Sequence, residues 1–381
     1  MQLVVVDTER SRAAGSLVFG LDDPLDDARV LERPLSAWRS GASEAGDEVM
    51  GPALVVARDV FVSDGFRAAC AIAMGSVTTT ARVRAKRDTA LFDADPLGTG
   101  ARDDGGHLLL DAWIVPAGVS FAANNNDAQR GAPPVDLVVR ERVVDVPADK
   151  EVVGADTLAL RFSSATYGTV SHFATLQRTN LHALMGRALE GAPLAKLARY
   201  FAASLRAFAF TGPRVARALS RTGTGCEIHP TAVVEGSRLG DFVEVGPHAV
   251  VRGCHIGNDV RIDAQAICEL SVIGERARVQ RRAMVNASTV YPGARVGGIL
   301  QLAVVGRESA TKMFAVGTDM KLDGPVRVMT PTGLRPVDQG YMGVCIGHGA
   351  FVGSGVWIAP GRVVPAGARV GRRREEMWTG D

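Results

Sequence analysis

Seven histidines, five cysteines and a short stretch bearing Lys312, Asp319 and Lys321 carry most of the reactive chemistry in this 381-residue chain. An imidazole takes up and returns a proton near neutral pH, which suits it to general acid–base work. Four histidines, His229, His248, His255 and His348, lie in the carboxyl-terminal half. The cysteines Cys70, Cys226, Cys254, Cys268 and Cys345 form no CxxC pair, and their odd number fits no closed disulfide framework. Free thiols in a reducing compartment are expected, hence a cytoplasmic protein. The 43 basic and 41 acidic residues leave a net charge of +2, too little for a global field that recruits nucleic acid. No run of about 18 apolar residues is present, so no membrane-spanning helix is expected.

The elements that must position these side chains are announced by a repeat. Aliphatic residues recur at Ile228, Val234, Leu239, Val245, Val251, Ile256 and Ile262, then at Ile273, Val279, Val285, Val290 and Val296, with Cys268 filling the one gap. The intervals of 6, 5 and 6 sum to a cycle of 17 residues. One aliphatic per half-dozen residues matches neither a helix nor a simple alternating strand. It fits a triangular coil of three short strands, each sending one side chain to a central axis. Gly236, Gly240, Gly246, Gly253, Gly257, Asn258 and Gly274 supply residue types that turn corners with positive φ. Stacked at about 4.8 Å per coil, four coils make a prism roughly 19 Å long whose terminal coils need a cap or a partner. The schedule breaks after Val296 and resumes at Ile346, Val352, Ile358, Val364 and Val370, so residues 299–343 read as coils interrupted by a protruding loop.

On this repeat, and on the phrases Ile228-His-Pro-Thr-Ala-Val-Val-Glu-Gly and Ile346-Gly-His-Gly-Ala-Phe-Val-Gly-Ser-Gly, residues 226–371 resemble the hexapeptide-repeat, left-handed parallel β-helix family. The resemblance implies a homotrimer with sites in clefts between prisms. It also implies acyl transfer to a sugar or sugar-nucleotide acceptor, with acyl-CoA as co-substrate and a histidine as base. His348, two residues after an axial isoleucine and just beyond the loop, is the first candidate for that base, and His248 is the second. The loop would shape the pocket, with Lys312, Asp319 and Lys321 as substrate-binding residues. Ser309-Ala-Thr-Lys-Met-Phe-Ala-Val-Gly-Thr-Asp resembles the base-carrying loop of bifunctional acetyltransferases, yet Lys312 and Met313 stand where those carry histidine. A non-catalytic structural or regulatory trimer is the alternative. Val245-Gly-Pro-His-Ala-Val-Val-Arg-Gly-Cys-His also resembles the metal segment of γ-class carbonic anhydrases, but Arg252 occupies a ligand position and a permanent cation does not coordinate. No metal is expected.

The first half reads as an α/β or α+β domain over residues 1–175. Strands are expected at Leu3–Val6, Ala53–Ala57, Ser76–Ala85, His107–Val115, Val135–Val146 and Thr157–Phe162, a helix near Gly65–Gly75, and surface loops at Asp93–Gly106 and Ala122–Pro134. Val4-Val-Val-Asp-Thr-Glu, Arg33-Pro-Leu-Ser-Ala-Trp-Arg-Ser-Gly and the Thr175–Leu184 segment resemble the nucleotidyltransferase-like region of sugar-phosphate nucleotidyltransferase and acyltransferase fusions. The glycine-rich phosphate loop after the first strand is missing, which implies a domain that has lost that activity. Residues 176–224 read as a helical linker, with an apolar stripe at Leu194, Leu197, Phe201, Leu205 and Phe208 and seven basic residues against one acid between Arg187 and Arg221. A strut is favoured over peripheral contact with an anionic membrane surface. The β-helix is expected over 225–372 and a tail over 373–381.

Overall fold

The computed structural model describes the chain apart from residues 9–10, 13–16, 45, 47, 87–88, 94–95, 98–100, 103–104, 148–155, 190–201, 203–212, 322, 338–339 and 374–381. The backbone divides into two compact units, the first reaching Glu190 and the second beginning at Gly191, with Gly20–Asp22 grouped with the second.

The first unit is a mixed α/β domain. Its principal sheet runs in the order Pro134–Asp136, Ala81–Ala85, Leu108–Val115, Ala53–Ala57, Gln2–Val6 and Ser43–Glu44, with Ala101–Arg102 also pairing with Leu108–Val115. Leu108–Val115 is antiparallel to both of its long neighbours, whereas Gln2–Val6 is parallel to the strands on either side. Both faces are covered, which explains the unbroken apolar runs. Leu3, Val5, Leu54 and Val56 join a core with Phe66 and Cys70 of the helix Asp64–Ala73. Val4, Val6 and Val55 join a second core with Trp113 and Phe121. Ser63 caps that helix by accepting the Phe66 N–H.

Several expectations for this unit change: the strand expected over Ser76–Ala85 is confined to Ala81–Ala85, and the Asp93–Gly106 loop contains the strand Ala101–Arg102. The stretch Val135–Val146 is two strands in different sheets, Pro134–Asp136 and Glu141–Pro147. The Ala122–Pro134 loop contains a helix, Asn126–Gly131, because the Asn125 side chain accepts the N–H groups of Asp127 and Ala128. A capping asparagine outweighs the lack of apolar anchors there.

The helix Phe173–Leu189 buries polar side chains, Thr175, Gln177, Thr179, Asn180 and His182. Asn180 explains part of this pattern. Its Oδ1 accepts the Leu31 N–H at 2.8 Å, and its Nδ2 donates to the Arg29 carbonyl at 3.0 Å. It thereby holds the Arg29–Val30/Arg33–Pro34 hairpin, where Arg33 lies 4.4 Å from the Trp38 ring centre. The linker's apolar stripe at Leu194, Leu197, Phe201, Leu205 and Phe208 falls outside the described residues.

The second unit is a three-sided stack of parallel strands. One face holds eight strands in the order Glu227–Ile228, Glu244–Val245, Arg261–Ile262, Arg278–Val279, Arg295–Val296, Ala310–Thr311, Phe351–Val352 and Arg369–Val370. The other two faces, begun by Val233–Glu235 and Arg238–Leu239, hold seven each. The register places Ile228 on Val245, Ile262, Val279 and Val296 in succession, which is the 17-residue schedule made into a ladder. All thirteen scheduled positions except Ile228 are buried and share one core. The helix Pro213–Leu219 packs over the first coil. Val215 is buried there, Arg217 Nη2 donates to the Ala232 carbonyl at 3.1 Å, and the Gly236 N–H donates to the Ala216 carbonyl. That helix is the cap the terminal coil requires.

The schedule breaks because one coil is two residues short. Val285 stacks on Leu300 and Val290 on Val305, so the corner at Gly297-Gly298 is tightened and the coil continues to Gly317. The insertion therefore lies between Gly317 and Cys345. It does not simply protrude. It forms the hairpin Arg327–Thr330/Gly333–Pro336, buries Val326, Val328, Val337 and Met342, and is tied to the prism by the Met329 N–H to the Gly361 carbonyl.

The corners bear out the reading of the glycines in part, since Gly236 and Gly253 do adopt positive φ. Positive φ falls on Phe242, His248, Gln265, Arg276 and Arg282, whereas Gly246 and Gly274 do not adopt it. Those two glycines answer to space. A Cβ on Gly246 would meet Ala264 N at 2.8 Å, and one on Gly274 would meet Pro292 N at 2.5 Å. Coil stacking forbids a side chain there.

Candidate functional site

The face begun by Glu227–Ile228 carries the chemistry. In each of its strands one residue precedes the axial aliphatic and points outward, giving the ladder Glu227, Glu244, Arg261, Arg278 and Arg295. The outward residues that follow the axial positions are His229, Gly246, Asp263, Gln280 and Gly297. Gly246 and Gly297 stand where the next coil leaves no room for a Cβ. A concavity of about 510 Å³ is lined by Glu227, His229, Glu244, Arg261, Asp263 and Arg281, among others. A second of about 520 Å³ is lined by Gln280, Arg295, Gly297, Lys312 and Met313, and shares Asp263, Arg278 and Arg281 with the first. The two join into one trough.

Its electrostatics are uneven along the prism. Asp263, with a side chain 14% exposed, bonds Arg261 Nε at 3.0 Å and Arg278 Nη2 at 2.9 Å, and Arg261 also reaches Glu244 at 3.2 Å. Two acids thus balance two arginines. Arg281, Arg295 and Lys312 make no ion pair with a described residue, so the end of the trough near Lys312 is left positive. The acids Glu227 and Glu244 lie at the other end.

The residues singled out from sequence scatter over different edges. His248 sits exposed on the corner after Val245, with φ of 57°, and its N–H donates to Thr231 Oγ1 at 3.0 Å. Lys312 follows Thr311 on the same edge, four strands further along, a separation of about 19 Å. It enters the trough, with Nζ 5.6 Å from the Phe351 ring centre. Asp319 and Lys321 belong to the start of the insertion. The Asp319 carbonyl accepts the Met342 N–H, burial raises its carboxyl above the usual range, and Lys321 pairs with Asp323 at 3.4 Å. Neither lines the trough.

His348 lies half-buried on a third corner, between Ile346 and Val352. The Arg307 N–H donates to its Nδ1 at 2.7 Å, and its ring lies 5.6 Å from that of buried Tyr291. An Nδ1 that accepts a backbone proton leaves the proton of the neutral ring on Nε2. That Nε2 is itself buried, so the ring as placed presents no lone pair to a substrate, which is what a base must offer. His229 is engaged in the same way, its Nδ1 accepting the Thr231 N–H at 3.2 Å.

Arg252, the residue at the metal-ligand position, lies between Glu235 at 3.0 Å and Glu269 at 3.3 Å. Among the described residues no group of three or more His, Cys, Asp or Glu side chains gathers to hold a metal ion, and no helix is long and apolar enough to cross a membrane. The five cysteines are free, and burial pushes the Cys254 thiol up to about 12, so it is no nucleophile.

Sequence reasoning missed Arg281, Arg295 and Asp263. The signal for Arg295 was present, because Glu227, Glu244, Arg261, Arg278 and Arg295 repeat every 17 residues, one position before each axial aliphatic, whereas Arg281 and Asp263 lie off that repeat. No protein-family model matches the chain, and no curated protein matches it.

Proposed function

We propose that the protein is a hexapeptide-repeat transferase of the acyltransferase type, acting as a homotrimer on a sugar or sugar-nucleotide acceptor with acyl-CoA as donor. The observation that carries this reading is a substrate-sized concavity built into one outer face of a left-handed β-helix scaffold. Self-association is supported by a second face. The outward residues Val233, Val250, Ile267, Met284, Ile299, Val316 and Trp357 form an apolar ladder from coil to coil. Its spacing of about 4.8 Å is matched rung for rung by another copy of the same prism, whereas a helical partner repeats at about 5.4 Å.

In this reading His348 is the base; it lines neither concavity, and its ring must turn to exchange the Arg307 bond for one to an acceptor hydroxyl. The first unit has given up nucleotidyl transfer. After its first strand the Thr8 and Ser11 N–H groups are taken by each other's hydroxyls and the Arg12 N–H by the Thr8 carbonyl, so these donors are not turned towards a phosphate.

A non-catalytic structural or regulatory trimer is the second reading, favoured by the same Arg307–His348 bond, which holds the lone pair a base would use. Thiol release from acetyl-CoA in the presence of mixed nucleotide sugars separates the two. Acyl transfer that falls at least a hundredfold in His348→Gln supports the first. No turnover by the wild type leaves the second; equal turnover in the variant keeps a transferase and removes His348 as its base.

A further inference from the structure

The last coils of the prism differ in charge from the first. Between Gly324 and Val337, and again between Gly340 and Arg373, the sequence holds no Asp or Glu but six arginines: Arg327, Arg335, Arg362, Arg369, Arg372 and Arg373. Arg362 is half-buried and the other five are exposed. The acids nearest in sequence, Asp338, Glu375 and Glu376, fall outside the described residues. The opening coils instead pair their cations, with Arg252 between Glu235 and Glu269 and Arg261 beside Glu244.

These arginines stand among exposed apolar side chains. Gly355 donates its N–H to the Met313 carbonyl at 3.2 Å and accepts from Arg372 Nε at 3.2 Å, so Met313, Phe314, Gly355 and Arg372 follow one another along one edge of the stack. Phe314 is 71% exposed. Trp357, the last rung of the apolar ladder, lies in the terminal strand of its sheet. At the next corner Arg362 Nη1 donates to the Arg327 carbonyl at 2.9 Å, which sets the hairpin beside it, with Leu334 46% exposed next to Arg335. The core is open here. Val370 is half-buried, whereas Val352, on which it stacks, is fully buried, and no described strand pairs beyond Trp357–Ile358, Val363–Val364 and Arg369–Val370.

A terminal coil needs a cap or a partner. A second copy docked end to end would set arginines against arginines, and like charges across an interface repel. A nucleic acid strand gains from stacking on aromatic rings but little from Leu334 or Met313. An anionic bilayer answers both halves of the pattern, since lipid phosphates accept from guanidinium groups and the headgroup boundary accommodates Phe, Leu and Trp. We propose that this end of the prism docks on an anionic phospholipid surface, with Arg335, Arg369 and Arg372 on lipid phosphates and Phe314 and Leu334 entering the headgroup–acyl boundary. Docking needs neither acyl donor nor acceptor, so it stands or falls apart from the transferase reading.

Flotation of the full chain with vesicles tests the proposal, comparing phosphatidylcholine alone with phosphatidylcholine carrying about 30% phosphatidylglycerol in about 0.1 M salt. Binding to the anionic vesicles is expected to exceed binding to the neutral ones by at least about tenfold and to fall when salt is raised to about 0.5 M. Arg369→Glu/Arg372→Glu is expected to lower it about tenfold, and Phe314→Ser/Leu334→Ser about fivefold at unchanged charge. Should the Phe314 corner fail to fold with serine, Leu334→Ser alone supplies the apolar comparison, with a loss of about twofold. Trp357 is kept in every variant because it also belongs to the apolar ladder. Arg238→Glu/Arg276→Glu makes the same change in net charge on the earlier coils and should leave binding within about twofold of the wild type. Equal binding to both kinds of vesicle, wild-type binding by Arg369→Glu/Arg372→Glu, or an equal loss in Arg238→Glu/Arg276→Glu overturns the proposal. Binding to oligouridine with none to vesicles assigns this end to nucleic acid and overturns it as well. So do vesicle-free assemblies longer than a trimer that Arg369→Glu/Arg372→Glu disperses, which assign it to a second copy.

Discussion

Burial decides protonation state in this protein more than proximity of opposite charge does. His182 shows it most plainly. Desolvation, assisted by the positive charge of Arg178, lowers its pKa to about 3, and its ring packs 5.5 Å from that of Phe162. The folded imidazole is therefore neutral, while the unfolded one takes a proton below its ordinary value of about 6.5. A depressed folded pKa means that this stability is fully present above pH 6.5 and is lost progressively as pH falls towards 3, by about 1.4 kcal/mol per pH unit. His182→Gln, measured by urea unfolding at pH 7.5 and pH 5 while following the first unit, should show a smaller loss at pH 5 than the wild type. An equal loss in both proteins would mean that His182 does not carry the effect. The same logic separates the legible from the illegible at this scale. The type of His348 and its place after an axial residue were readable, whereas its hydrogen bond from Arg307, 41 residues away, is a product of coil stacking that no local pattern announces.

At the scale of the element, one period does two jobs. It was read for the inward residues, where Val, Ile and Leu recur from coil to coil with Cys268, Thr311 and Gly317 as departures, because an apolar axis tolerates little else. The outward residues share the 17-residue cycle without sharing a residue type, so the Glu227-to-Arg295 ladder and the apolar Val233-to-Trp357 ladder are visible only once the register is known. The corners were only partly legible, for a physical reason. Positive φ is imposed by the closed coil on whatever residue arrives there, Gly236 and Gly253 but also Phe242 and Arg276, while other glycines, such as Gly274, stand where a neighbouring backbone is too close for a Cβ. If the apolar ladder is the face through which copies associate, a charge at its centre should separate them. Met284→Glu is expected to lower the mass in light-scattering chromatography from that of a trimer to that of a monomer while leaving the far-ultraviolet circular dichroism unchanged. A wild-type monomer, or a variant that remains trimeric, contradicts that role.

For the whole molecule, a stiff prism presents one polarised face. The mixed α/β unit was foreseeable from its strand runs, since Gln2–Val6, Ala53–Ala57 and Leu108–Val115 are covered on both sides and leave an unbroken apolar signature. Its small irregular elements depend on single capping side chains such as Asn125 and were not. The stacked coils set the backbone of each face at one strand spacing, which loops do not. The most direct measurement is thiol release from acetyl-CoA by the full chain in the presence of mixed nucleotide sugars. The account predicts turnover that falls at least a hundredfold in His348→Gln. No turnover by the wild type would contradict it.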